Sequence, residues 1–337
     1  MYRFNKSERS SGAVCQHVLA AFMVFACGAG SVVAANAAEL APQLKIHAAD
    51  ITPSALSTGM LAAARAGKRI VSVGDHGAIL LSDDDGRSFR QAGHVPVSSA
   101  LTAVYFVDDK TGWATGHWGV ILHTVDGGQT WTLQRSDLAN DQPLFSVYFS
   151  DKREGWAVGL WSLMLHTTDG GITWEKISLA PGPGSKKADR NLYGIFADKQ
   201  GDLYVAAERG TVLISKDKGA RWTYVETGYQ GSFWCGAALP SGTLLVGGLR
   251  GTLYRSTDGG STWMRAHSEY RSSITAIVPR RDGAVSAVAL DGVELVSHDD
   301  GATFAGAQRP DRLPLTAAVE NADGTLVRFS TTGPATK

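Results

Sequence analysis

Apolar runs of strand length recur along the chain from about residue 60, each cut off by a turn rich in Asp, Gly or Ser. One unit reads Leu101-Thr-Ala-Val-Tyr-Phe-Val107, a turn over 108–112, Trp113-Ala-Thr-Gly116, a tight His117-Trp118-Gly119 turn, Val120-Ile-Leu-His-Thr124, and Trp131-Thr-Leu-Gln134. Short segments rich in β-branched and aromatic residues, with no helical period, predict four antiparallel strands. The next unit repeats the order nearly word for word: Leu144-Phe-Ser-Val-Tyr-Phe149, Gly155-Trp-Ala-Val-Gly159 and Leu163-Met-Leu-His-Thr167. The first strands are apolar on nearly every residue, which predicts burial on both faces between neighbouring sheets.

Between the third and fourth strands lies an eight-residue pattern, Ser/Thr-x-Asp-x-Gly-x-Ser/Thr/Arg-aromatic, that occurs six times. Its aspartates are Asp84, Asp126, Asp169, Asp217, Asp258 and Asp299, spaced by 42, 43, 48, 41 and 41 residues. That period is the length of a four-stranded propeller blade. The residue types are those of a hairpin turn. The Asp carboxylate accepts backbone N–H groups, Gly supplies positive φ, the hydroxyl adds a second cap, and the aromatic packs over the hairpin. One chemistry does not need six dispersed copies, so all six aspartates are read as structural.

The expectation is an all-β fold, a seven-bladed β-propeller of four-stranded blades, with six blades as the alternative. Blades fall near 60–92, 101–135, 144–178, 192–227, 232–267, 273–307 and 315–337. The seventh stops without its own box. Residues 44–55 are expected to finish it, with Leu44-Lys-Ile-His47 and Ile51 adding a strand that closes the ring and removes two open sheet edges.

The first 37 residues are of a different character. Arg3, Lys6 and Arg9 precede an apolar run, and Ala35-Asn-Ala37 supplies the small-residue pattern of a cleavage site. Residues 1–37 are therefore expected to be a signal peptide, leaving 38–337 as one exported, periplasmic domain, with lipid anchoring through Cys27 the weaker alternative. After cleavage the chain carries 29 basic and 31 acidic side chains. Such a balance gives no field to gather nucleic acid. Only Cys235 of the three cysteines remains, so no intrachain disulfide holds the domain. Cys235 sits in an apolar stretch and reads as a small buried hydrophobe. The nine histidines show no paired spacing for zinc, and neither a metal nor a cofactor is expected.

The string at 155–174, Gly-Trp-Ala-Val-Gly followed by His-Thr-Thr-Asp-Gly-Gly-x-Thr-Trp, has a near copy at 112–131. It resembles the photosystem II stability and assembly factor propellers, and the resemblance spans essentially the whole mature chain. The resemblance implies a non-enzymatic assembly factor or chaperone on the far side of a membrane. By the same resemblance, the client in photosynthetic members is a newly made reaction-centre subunit, and in similar propellers of non-photosynthetic bacteria it would be some other envelope protein. The box alone also occurs in sialidases and sortilin-type receptors, so it identifies architecture and not activity.

Strand connectivity puts the boxes and first-to-second turns at one end of the ring, and the second-to-third turns with the inter-blade loops at the other. Read around the ring, the second-to-third turn position holds His76, Trp118, Trp161, Arg209, Arg250 and Asp291. Variation there on a repeated scaffold is how a site is carried. Two tryptophans followed by two arginines match the composition of protein-binding hot spots. The long loop 180–190 adds Lys186, Lys187 and Arg190 at the same end. By the resemblance, Arg209 and Arg250 correspond to part of an arginine-rich patch. The expected partner is a protein client of a membrane or envelope complex, met by a monomer. The alternatives are an accessory protein of an envelope transporter and a sialidase-like glycosidase. The latter is disfavoured because no Arg-Ile-Pro element appears and Tyr224-Val-Glu226 falls on an outer strand.

Overall fold

The computed structural model describes residues 45–335, so the expected signal peptide 1–37 and Leu44 of the expected closing strand lie outside the described residues. Seven antiparallel sheets follow one another along the chain. Their first, innermost strands are Met60–Ala66, Leu101–Phe106, Leu144–Phe149, Leu192–Ala197, Phe233–Ala238, Ile274–Pro279 and Leu315–Glu320. Blades 1 to 5 have four strands, and blade 6 gains a fifth, where His267–Ser268 pairs in parallel with Thr303–Phe304.

Each blade packs face to face on the next, and each joint is a separate apolar cluster. Between blades 2 and 3, for example, Trp113 and Ile121 meet Leu144, Val147 and Phe149, and Trp113 stacks on Phe149 with ring centroids 3.5 Å apart. The expectation of first strands buried on both faces is corrected here. The second strand is the one wholly buried, as at Gly112–Gly116, Gly155–Gly159 and Leu203–Ala207. The first strand mixes buried and half-buried residues, with only Leu101 and Val104 buried in Leu101–Phe106. It borders the central channel along one edge, whereas the second has a strand on either side and a blade on either face.

The ring closure also differs from expectation. Blade 7 has three strands among the described residues, Leu315–Glu320, Leu326–Ser330 and Gly333–Pro334, and residues 45–51 form no strand in it. They run instead over blades 1 and 2, where the Ala49 N–H donates to Val95 O at 3.0 Å and Ile46 and Ala49 pack on the joint between those blades. Gln91 holds this arm by both ends of its amide, accepting from Thr52 N at 3.0 Å and donating to Asp50 O at 2.8 Å. Side-chain packing closes the circle: Met60, Ile70 and Leu80 of blade 1 meet Ala317, Val319 and Phe329 of blade 7, with Ala55 of the short 3-10 turn Pro53–Ser57 buried among them. Once the faces of blades 7 and 1 are buried against each other, no shared strand is needed to hold the ring.

Candidate functional site

The second-to-third turns share one construction. A single 3-10 turn follows the second strand on five of these blades and a plain turn on blade 4, and the central residue lies in the left-handed region: His76 at φ 56°, Trp118 at 58°, Trp161 at 52°, Arg209 at 56°, Arg250 at 57° and Asp291 at 66°. Glycine would take that conformation without strain, yet none of the six positions holds glycine. The turns are fixed to the entry of the first strand by backbone bonds such as Leu160 N to Pro143 O and Leu249 N to Ser232 O, at 3.0 and 3.1 Å. This approach is why Gly159 precedes its turn, since a Cβ there would lie 2.1 Å from Pro143 O. Inter-blade loops meet the same end: Asp137 N donates to Trp118 O and Arg309 N to Gly292 O.

The structure separates the predicted residues from one another. Trp161 is 61% exposed, and its N–H is held by Asn191 Oδ1 at 2.9 Å. Trp118 is half-buried, sharing the wall of a cavity of about 200 Å³ with Lys45, Ile46 and His47 of the arm. The expected pair of exposed tryptophans is thus reduced to one. Lys186 and Lys187 are exposed, but Arg190 is 2% exposed and presents nothing to a partner. Its Nη2 donates to Pro183 O at 2.7 Å, and its guanidinium lies 5.8 Å from the Tyr224 ring centroid, pinning the loop from beneath. Arg209 is 3.8 Å from Asp189 and donates to Ser185 Oγ at 3.1 Å. Arg250 is exposed and makes no ion pair among the described residues. Asp291 is tied to Arg312 at 2.6 Å and to Gln308 at 2.8 Å. His76 stands exposed on blade 1 beside the arm. The open part of the ring end is therefore over blades 3 to 5, at Trp161, Arg209 and Arg250.

A feature that the sequence analysis missed lies directly inside these turns. Every first strand carries a β-bulge at its second residue, so that Leu61, Thr102, Phe145, Tyr193, Trp234, Thr275 and Thr316 are skipped in the pairing of their blades. A bulge re-aims its side chain. Where the residue is threonine, the hydroxyl donates across the joint to the next blade: Thr102 to Leu144 O, Thr275 to Leu315 O and Thr316 to Met60 O. On blades 3 to 5 the position is aromatic instead. Phe145 and Tyr193 stack with centroids 5.3 Å apart, and all three aromatics remain partly exposed at the channel mouth. Aligning the repeats on their first apolar residue would have shown this column switching between Thr and aromatic residues.

In each of the six boxes the aspartate accepts hydrogen bonds from within its own turn. At Asp258, Oδ1 accepts from Ser256 Oγ at 2.8 Å and Thr262 N at 2.9 Å, and Oδ2 accepts from Thr262 Oγ1 at 2.6 Å. The side-chain and backbone bonds from Thr262, with the Ser256 hydroxyl, bring its carboxyl down to about 2. The Trp263 indole closes the turn on Gly260 O at 2.9 Å. Tyr224 and Glu226 stand on an outer strand, where the Tyr224 hydroxyl donates to Ala180 O at 2.9 Å, far from a channel nucleophile's place. Burial pushes the Cys235 thiol up to about 12, which suppresses its thiolate. Among the described residues no group of three or more His, Cys, Asp or Glu is placed to hold a metal, and no helix is long and apolar enough to cross a membrane.

Residues 91–223, which span blades 2 and 3 and most of blade 4, match the family model of the photosynthesis system II assembly factor YCF48. Over that stretch the chain is similar to the YCF48 family. YCF48 bound to D1 peptide superposes with a TM-score of 0.64 at 16% identity, covering 86% of this chain and 98% of that one. YCF48 from Cyanidioschyzon merolae gives 0.63 at 16% identity over 86% and 97%. The fold is shared more widely, since the RRP9 WD40 repeats reach 0.64 at 12% identity over 86% and 92%. No curated protein matches the chain by sequence. Within the ring, the left-handed turns of blades 3 and 5 are bonded to the entries of the strands that carry the aromatic bulges.

Proposed function

We propose that this propeller is an exported, non-enzymatic scaffold that binds a protein client through the second-to-third turns of blades 3 to 5, as an assembly factor or chaperone for a membrane or envelope complex. The observation that carries the reading is the division of labour around the ring. Strands and boxes repeat to build shape, while the left-handed turn positions vary and leave Trp161, Arg209 and Arg250 open on adjacent blades. Exposed tryptophan beside arginine is the composition that dominates binding energy at protein interfaces. A structure of the related YCF48 holds D1 peptide, which supports a protein segment as ligand.

Export rests on the leader ending at Ala37, and it places the client on the far side of the membrane. The reading is tested by expressing the tagged chain with its own leader. The expected product is an envelope-fraction protein beginning at Ala38. It captures a client that the Trp161→Ala/Arg209→Ala/Arg250→Ala variant releases. Retention of the same client by the triple variant removes this face from the account.

A further inference from the structure

Resting on that docking face, we infer that Phe145, Tyr193 and Trp234 form a recognition arc at the channel mouth, which receives a large apolar side chain from an extended, acidic segment of a partner protein. The first observation is positional. Seven bulges stand at one register, and the side chain there has two alternative uses. On blades 2, 6 and 7 a threonine spans the joint and donates to the neighbouring carbonyl. On three consecutive blades the chain forgoes that bond and places partly exposed aromatics instead. Residues that relinquish a stabilising contact in a repeated scaffold mark the part of it kept for binding.

The second observation is adjacency. The turn bearing exposed Trp161 is bonded to the entry of the strand that carries Phe145, through Leu160 N and Pro143 O. Asn191 holds Trp161 N with its Oδ1, while its Nδ2 lies 3.4 Å from the Tyr193 hydroxyl. Leu249 N donates to Ser232 O at 3.1 Å, which sets the exposed Arg250 on the turn beside the strand of Trp234, and Arg250 N is held from the next blade by Ser273 Oγ at 3.1 Å. Aromatic faces with a free arginine at the rim complement an apolar side chain flanked by carboxylates, and the arginine gives the segment its direction. The remaining bulge residue, Leu61 on blade 1, lies away from the arc.

The probe is a fluorescein-labelled acidic peptide of Gly, Ser and Asp with one central phenylalanine, titrated beside its alanine counterpart by anisotropy. The wild-type protein is expected to bind the phenylalanine peptide at least about tenfold more tightly. Phe145→Thr/Trp234→Thr, which installs the residue that this backbone accepts at the same register elsewhere, is expected to erase that difference. Its thermal unfolding should remain cooperative, with Tm no lower than that of a Leu61→Thr control. Arg250→Glu is expected to weaken both peptides alike. Equal binding of the two peptides, or a preference that survives the double threonine variant, overturns the arc. If the two peptides bind equally and Arg250→Glu weakens both, the docking face stands without the arc; if neither peptide binds, both are overturned.

Discussion

At the scale of single residues, the chemistry of this protein is used for turn geometry. In five of the six boxes the carboxylate receives one hydroxyl from before it, one from after it, and a backbone N–H, while Asp217 lacks the later hydroxyl because Arg221 stands there, and these direct hydrogen bonds favour the charged form. For Asp84 the bonds from Ser88 come first and the Ser82 hydroxyl after them, and the carboxyl lies at about 2. Asp169, Asp258 and Asp299 also lie at about 2. A carboxyl lowered in the folded state contributes stability above its unfolded value of about 3.9, and that contribution is lost as pH falls through the folded value. The boxes are therefore expected to withdraw stability between about pH 4 and pH 2. Urea midpoints measured along that range check it, and a midpoint indifferent to pH there contradicts the assignment. These roles were legible in the sequence because a turn states its geometry in three or four residue types. The burial of Arg190 was not, because a cationic side chain in a Pro/Gly loop reads as solvated until the loop is seen folded over it.

At the scale of strands and joints, the blade is a local object, and six blades were countable from the boxes alone. What the pattern could not show was which strand is innermost. Apolar content is high in both the first and second strands, and only the ring tells which of them meets the channel. The bulges were hidden for a related reason. Skipping one residue changes the register, while the alternation on either side still looks regular. Their energetic role is testable at the closure. Thr316 is the bulge residue that joins blade 7 to Met60 of blade 1. Thr316→Val keeps the shape and removes the hydroxyl, and is expected to cost about 1 kcal/mol. Denaturant unfolding should show this as a lowered midpoint with an unchanged slope. A neutral effect means that the bond across the seam contributes nothing.

At the scale of the whole molecule, the ring end divides into a covered and an open sector. Residues 45–57 cross blades 1 and 2, half-bury Trp118 and insert Ala55 into the seam between blades 1 and 7, while blades 3 to 5 stay clear. The sequence suggested a closing strand because an unfinished blade and a spare apolar segment are the usual components of one. The segment goes elsewhere because Gln91 and Val95 capture its backbone on blade 1. Deleting residues 38–51 is expected to leave the ring folded and to shift tryptophan emission to the red as Trp118 is wetted, whereas deletion through Ser57 should lower Tm as well. Unshifted emission in the shorter deletion would show that the arm does not cover Trp118.

The open sector is the claim on which function rests, and photocrosslinking in the native envelope tests it most directly. p-Benzoylphenylalanine is placed at Trp161, on the turn end, and separately at Ile172, which is 80% exposed in a box at the other end. The account predicts one discrete protein adduct from position 161 that disappears with Arg209→Ala/Arg250→Ala, and none from position 172. The same adduct from both positions, or one from 172 alone, contradicts it.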